Sequence, residues 1–332
     1  MKTLDRKLDA ILRGDGARTD FIIADAKDAD MGGGRLAPGP ERGADGRPLD
    51  AVRPLAGYLD EIRMITRQGI VDVMLASSST LERLGRGVFE STQVTPAIRA
   101  NDTTDIWGIR GGGYPSEPSR PFRTASLSRA RELGCDLCLY SITFNNCVDD
   151  DLRSLEAFAD FREDAERSGM RYFLEVFNPN ADAGLASLEE TGAYVGDCII
   201  RCLAGLTRAE RPCFLKIAYN GPRAMTELCS YDPELVVGIL GGAAGTNRDT
   251  FQLLSDAQRD GARVALFGRK IKLAESPLEM VRHMRRVVDG ELTPEEAIHE
   301  YHAAIRADGL VPTRSLDEDL RITEPALLLP ST

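Results

Sequence analysis

The stretch 235-LVVGILGGAAGTNRDTFQLLSDAQRDGARVALFGRKI-271 holds two apolar runs, 235-LVVGIL-240 and 264-VALFG-268, separated by one amphipathic segment, 249-DTFQLLSDAQRDG-261. Both runs are continuous rather than alternating, which suits parallel strands covered on both faces. Each also ends on glycine, at Gly241 and Gly242 in the first and at Gly268 in the second, with Arg269 directly after. The pattern predicts a strand, a helix and a second strand, with strand ends open to close approach.

The same unit repeats upstream. Further runs of this kind are 21-FIIAD-25, 71-VDVMLAS-77, 94-VTPAIRA-100, 137-LCLYSIT-143, 172-YFLEV-176 and 213-CFLKIA-218. Helical patterns fall between most of them, the clearest being 150-DDLRSLEAFADFREDAERSG-169, which starts on acidic residues and stops at Gly169. Eight strands alternating with helices predict a (β/α)8 barrel over 1–332, read as one domain, and its size fits that fold. A doubly wound sheet is the alternative. The segment 294-PEEAIHEYHAAIR-306 adds a further C-terminal helix. Residues 26–52 and 101–123, the latter with the single tryptophan Trp107, form long loops after the first and third strands. In a barrel both rise from the C-terminal face, where loops of this length serve as lids or oligomer contacts.

Composition narrows the class. An apolar fraction of 42% with 28% charged residues is ordinary for a globular chain, and no apolar run approaches the length of a membrane span. The start, MKTLDRKLDAILRG, reads as an amphipathic helix without a signal-peptide core, so a cytoplasmic protein is expected. A net charge of −11 without basic blocks argues against nucleic acid as a partner. Seven cysteines in mostly apolar surroundings read as reduced thiols, and the Cys135/Cys138 pair straddles the start of a strand. The three histidines, His283, His299 and His302, lie in late amphipathic helices, so no metal site is expected.

Of the 41 basic residues only six are lysine, the other 35 being arginine, so each lysine invites a question. Lys216 stands inside the apolar run CFLKIA, where a charged ammonium is costly. Desolvation lowers a lysine's pKa and yields an amine able to attack a carbonyl. Arginine cannot replace it, because a guanidinium stays protonated. Asp25 and Glu175 sit at or near the ends of two other strands and are expected to face the same mouth, as proton shuttles. Gly241, Gly242, Gly268 and Arg269 form an anion cradle at the ends of strands seven and eight, the usual phosphate site of this fold. Lys27 and Arg35 are candidates for a second anionic group.

These residues together resemble the class I, Schiff-base aldolase superfamily of barrels. The branch in question includes class I tagatose-bisphosphate, sulfofructose-phosphate and archaeal-type fructose-bisphosphate aldolases. The resemblance covers about residues 18–306 and is most specific in CFLKIAYNG and in GILGGAAGTNRDTFQLLSDAQRDGARVALFGRKI. It implies Lys216 as the imine-forming lysine, Asp25 and Glu175 as active-site carboxylates, and the glycine loops with Arg269 around a substrate phosphate. It further implies a phosphorylated sugar or keto substrate, no cofactor and self-association into a homo-oligomer. The chain departs from it on strand four. Where the tagatose and sulfofructose branches carry a second lysine, this sequence offers Leu139 and Tyr140, and Tyr140 becomes the candidate proton-transfer residue, as a tyrosine is in the fructose-bisphosphate branch. An imine-using isomerase or transaldolase of the same fold, or a sugar-phosphate binder without turnover, stays open beside the aldolase.

Overall fold

The computed structural model describes residues 1–101, 109–113, 117–242 and 245–330. Among these the strands are β1 (Ile22–Lys27), β2 (Pro40–Arg42), β3 (Pro48–Val52), β4 (Val73–Ala76), β5 (Thr95–Arg99), β6 (Leu137–Thr143), β7 (Arg171–Phe177), β8 (Leu215–Ile217), β9 (Gly238–Leu240) and β10 (Val264–Phe267). All but β2 and β3 form one closed parallel barrel in the order β1-β10-β9-β8-β7-β6-β5-β4, with β4 pairing back to β1. The fold is therefore the expected (β/α)8 barrel. The eight apolar runs are its eight strands, and β1 continues through Lys27, two residues beyond its run.

Strand periodicity divides the side chains into two cores. Ala24, Ala97, Leu139, Phe173, Phe214 and Leu266 belong to the barrel interior, whereas Ile23, Met74, Ile98, Tyr140, Leu174 and Phe267 pack between the barrel and its helices. Phe173 and Phe214 stack at 4.6 Å across β7 and the residue preceding β8. The interior extends to Leu4 and Leu8 of the N-terminal helix Thr3–Leu12, which closes the barrel at the end where the strands begin. Lys7 anchors that plug. Its Nζ donates to the Phe21 carbonyl at 2.9 Å and to Asp72 Oδ2 at 2.8 Å, and Asp72 also accepts from the Ile23 N–H at 2.9 Å.

The opposite end carries the insertions. After β1 the first long loop makes two short helical turns and then the antiparallel β2–β3 hairpin, paired Pro40 with Val52 and Arg42 with Pro48. The second long loop is described only in part, and Trp107 lies outside the described residues. Its later portion docks beside β7, where Asn180 Nδ2 donates to the Glu117 carbonyl at 2.7 Å.

Helix Asn247–Arg259 starts at a capping box. Asp249 N donates to Thr246 Oγ1 at 3.1 Å, and Thr246 N returns a bond to Asp249 Oδ2 at 2.9 Å. The same carboxylate holds the chain's C-terminal segment, accepting from Thr323 N at 2.7 Å and Glu324 N at 3.1 Å. Past the added helix Pro294–Ala307, the C-terminal residues thus wrap back over the end of β9.

The stacked Phe173–Phe214 pair is fully buried in the barrel interior. Phe214→Ala removes a fully buried ring that packing cannot refill, and is expected to cost ~3–5 kcal/mol, read as a lowered urea midpoint at unchanged slope.

Candidate active site

Two residues above the interior apolar layer, each strand presents its next inward side chain. Above Ala97, Leu139, Phe173 and Phe214 these are Arg99, Ser141, Glu175 and Lys216. Register places three of them at one height, since Ser141 pairs with Glu175 and Glu175 with Lys216, while Arg99 pairs with Leu139 and reaches the others through its side chain. Asp28, just beyond β1, joins them. The site is a ring of polar groups lying on an apolar floor.

Among the described residues its four charges are all at least nine-tenths buried, so each needs a partner. Lys216 Nζ is paired with Glu175 Oε1. The other carboxylate oxygen of Glu175 accepts from the Ser141 hydroxyl at 3.0 Å and lies 3.8 Å from Arg99 Nη1. Arg99 donates from Nη1 to Asp28 Oδ2 at 2.9 Å, from Nη2 to Ser141 Oγ at 3.2 Å, and from Nε to the Asn101 carbonyl at 3.0 Å. Asn101 is fixed in turn by its side-chain amide, which bonds the Ser141 carbonyl at 2.8 Å and N–H at 2.6 Å. Two cations and two carboxylates alternate, and one hydroxyl bridges them.

The glycine-rich strand ends expected to cradle an anion begin one strand from Lys216. Gly241 and Gly268 end the adjacent strands β9 and β10, and neither has room for a side chain. A Cβ at Gly241 would fall 2.5 Å from the Phe267 ring, and one at Gly268 would fall 2.7 Å from the Ala26 carbonyl. Gly242 takes a positive φ of 60°, which glycine adopts without strain. Exposed Arg269 reaches across to donate to the Gly242 carbonyl at 2.9 Å, while Ala243 and Ala244 lie outside the described residues. A cavity opens here between Asn178, Ala218, Asn220, Gly241 and Gly242, and the C-terminal segment walls it with Glu324. Burial, together with the nearby Asp249 carboxylate, holds the Glu324 acid above its usual range. The Asn178 and Asn220 amides bond each other reciprocally at 2.7 and 2.9 Å.

Glu175, Lys216 and the glycine loops with Arg269 are thus brought to one mouth, but four other expected residues are not. Asp25 pairs in register with Met74 and Phe267, both on the helix-facing side, so alternation turns its carboxylate away from Lys216. Lys27 shares that outer face. It is fully buried, donates to Glu61 Oε1 at 2.7 Å and lies 3.3 Å from Asp25 Oδ2, so no second anion is offered to it. Arg53 closes the same network on the other Glu61 oxygen. Tyr140 also points outward, stacked on Phe161 at 4.2 Å and close to Phe158, and burial pushes its phenol well above the usual value. Arg35 is exposed beside the hairpin.

Arg99, Asp28, Ser141 and Asn101 escaped the sequence reading. Arg99 stands in the run 94-VTPAIRA-100 as Lys216 stands in its own, but arginine is this chain's default cation and drew no notice. Ser141 was reachable by counting two positions from Leu139, had the inward register been known. Elsewhere, burial pushes Cys135 up to about 12 and raises Cys138, as inert thiols. Among the described residues no group of three or more His, Cys, Asp or Glu side chains is placed to hold a metal ion, and no helix is long and apolar enough to cross a membrane.

The closed eight-stranded parallel barrel is a fold that the chain shares with solved aldolase structures. It superposes on an archaeal fructose 1,6-bisphosphate aldolase with a TM-score of 0.63 at 18% identity, over 86% of this chain and 99% of that one. Another archaeal fructose-1,6-bisphosphate aldolase, whose catalytic lysine is covalently bound to the carbinolamine intermediate, matches at 0.63 and 18%, over 86% and 100% of the two chains. The fructose-bisphosphate aldolase of Slackia heliotrinireducens matches at 0.63 and 13%, over 91% and 90%. At these identities the shared property is the fold. No family model matches the sequence, and no curated protein does.

Asp25 generates a stability prediction. Both its oxygens lack a hydrogen bond, and burial raises its pKa to about 7, with Lys27 opposing the shift. The folded-state value lies above the unfolded one, so the stabilisation linked to the protonated acid is present below about pH 4 and lost as pH rises through about 7. Asp25→Asn is expected to flatten this part of the pH dependence, measured by urea unfolding at pH 5 and pH 8. An unchanged slope between those conditions would count against the buried acid.

Proposed function

We propose that this protein is a Schiff-base-forming aldolase that cleaves or joins a carbon–carbon bond in a phosphorylated ketose or related keto compound. The observation that carries the reading is a buried lysine amine in contact with a carboxylate, one strand from the first of two glycine-rich strand ends. The fold shared with fructose-bisphosphate aldolases supports it.

In this reading the substrate phosphate docks on Gly241, Gly242, Gly268 and Arg269, which places the adjacent carbonyl over Lys216. Glu175 takes the proton of the Lys216 ammonium, and the freed amine adds to the carbonyl carbon while one of its N–H protons passes to the carbonyl oxygen, giving the carbinolamine. Protonated Glu175 returns that proton to the carbinolamine hydroxyl, which leaves as water. The iminium then accepts the electron pair of the neighbouring C–C bond as Glu175, again a carboxylate, takes the proton from the hydroxyl that becomes the aldehyde. Reprotonation of the enamine and hydrolysis free the second fragment and restore the lysine. Ser141 holds the Glu175 carboxylate in place through these transfers, and no step calls on a metal ion. Asp25 and Tyr140, expected from sequence as shuttles, have no part in this scheme.

The Lys216–Glu175 pair also fits a sugar-phosphate binder in which the lysine only neutralises the carboxylate. Borohydride separates the two. Reduction in the presence of dihydroxyacetone phosphate is expected to leave a stable adduct on Lys216, seen by mass spectrometry, and an unmodified lysine under saturating substrate would remove the aldolase reading. Lys216→Met is expected to abolish turnover while phosphate affinity stays within about twofold. Glu175→Gln is expected to lower kcat by ~10²–10⁴ with KM little changed, as loss of an acid–base group does.

A further inference from the structure

We infer that a second anion site lies outside the catalytic mouth, in a cavity between the β2–β3 hairpin, the short helix Arg269–Leu273 and the C-terminal segment, and that it takes a small organic phosphate. Lys216 and Glu175 have no part in it, so the inference stands or falls apart from the aldolase reading.

Lys270 carries the argument. Among the described residues four lysines are at least nine-tenths buried: Lys7, Lys27, Lys216 and Lys270. The first three each meet a carboxylate, Lys7 at Asp72, Lys27 at Asp25 and Glu61, and Lys216 at Glu175. Among the described residues Lys270 has no carboxylate within ion-pairing distance. Its Nζ donates to the Gly245 carbonyl at 2.7 Å, a neutral acceptor that leaves the charge uncompensated. Burial accordingly lowers its pKa to about 8, with Arg314 adding to the shift and the more distant Asp319, Asp249 and Glu275 carboxylates opposing it.

The cavity beside it holds about 240 Å³ and is lined by three cations, Arg42, Lys270 and Arg314, and two acids, Glu275 and Asp319. Both acids are engaged elsewhere. Glu275 accepts from the Thr313 N–H at 2.6 Å and from the Tyr301 hydroxyl at 2.9 Å. Asp319 accepts from the Asn247 N–H at 2.7 Å and lies 2.9 Å from His302 Nε2. The cations are not so engaged. Arg42 donates to the Gly46 and Leu273 carbonyls, and Arg314 comes no nearer to Asp319 than 4.0 Å. Three cationic side chains around one cavity match the three free oxygens of a phosphate monoester, and the two guanidinium forks can each bond it in pairs. Pro48 and Leu273 add an apolar wall that suits a short carbon skeleton behind the phosphate. The volume falls below the roughly 300–1,000 Å³ of drug-sized sites, so the ligand is small.

The probe is glycerol 3-phosphate, which has no carbonyl and cannot react at Lys216. It is titrated calorimetrically into wild-type protein, Arg269→Ala and Lys270→Met. Arg269 is exposed and belongs to the proposed cradle, so its loss is expected to weaken binding at the mouth alone. A binding component is expected to survive Arg269→Ala unchanged and to weaken at least ~10-fold in Lys270→Met, as loss of a charge-assisted contact does. Glycerol itself is expected not to bind. Three results would overturn the inference: no binding to wild type at millimolar ligand, a sole component that Arg269→Ala weakens or Lys270→Met leaves unchanged, or glycerol bound as tightly as its phosphate. Should Lys270→Met fail to fold, Arg314→Ala, at a part-exposed position, takes its place with the same ~10-fold loss expected, and an unchanged affinity overturns the inference.

Discussion

Everything at the mouth of this barrel depends on neutralising charges that the strands carry out of water. Lys216 can be buried because Glu175 is one strand away at the same height, and Glu175 is held in turn by Ser141, with Arg99 and its partner Asp28 close by. Removing any one charge would leave another buried without compensation, a cost that normally exceeds what the pair contributes to stability. Such a ring is a poor device for holding a fold together. It does hold an amine against a carboxylate in one fixed arrangement.

The structure also separates two charge networks that look alike in one dimension. The first lies inside the barrel and contains Lys216. The second lies outside it, under helix Leu55–Gln68, and contains Asp25, Lys27, Glu61 and Arg53. Both bury a lysine against carboxylates. Among the described residues the inner one alone lies in the polar ring inside the barrel. The outer one links β1 to the segment that follows the inserted hairpin, a structural role.

Much of the fold was legible in the sequence because continuous apolar runs and helical periodicity are local signals. The eight runs between 21 and 268 are the eight barrel strands, and the glycine-rich ends of the last two do meet at one place. Less of the site was legible. Lys216 and Glu175 were found because an ionisable residue within an apolar run is anomalous wherever it stands. Asp25 and Tyr140 were misplaced because a one-residue change of register moves a side chain to the other face of a strand. An apolar run buried on both faces carries no alternation from which to read that register. Arg99 was hidden by composition, in a chain where arginine is the ordinary cation.

The sequence by itself determined the number of strands, the lysine that stands inside an apolar run and the glycines that end the last two strands, since each depends on residue type and immediate neighbours. Tertiary structure decided which carboxylates share a cavity with that lysine. It also decided that Ser141, Arg99 and Asp28 belong to the site and that Asp25, Lys27 and Tyr140 do not. The reason is geometric: inward and outward are properties of a closed barrel, set by pairing between strands far apart in the chain, and no single strand carries them.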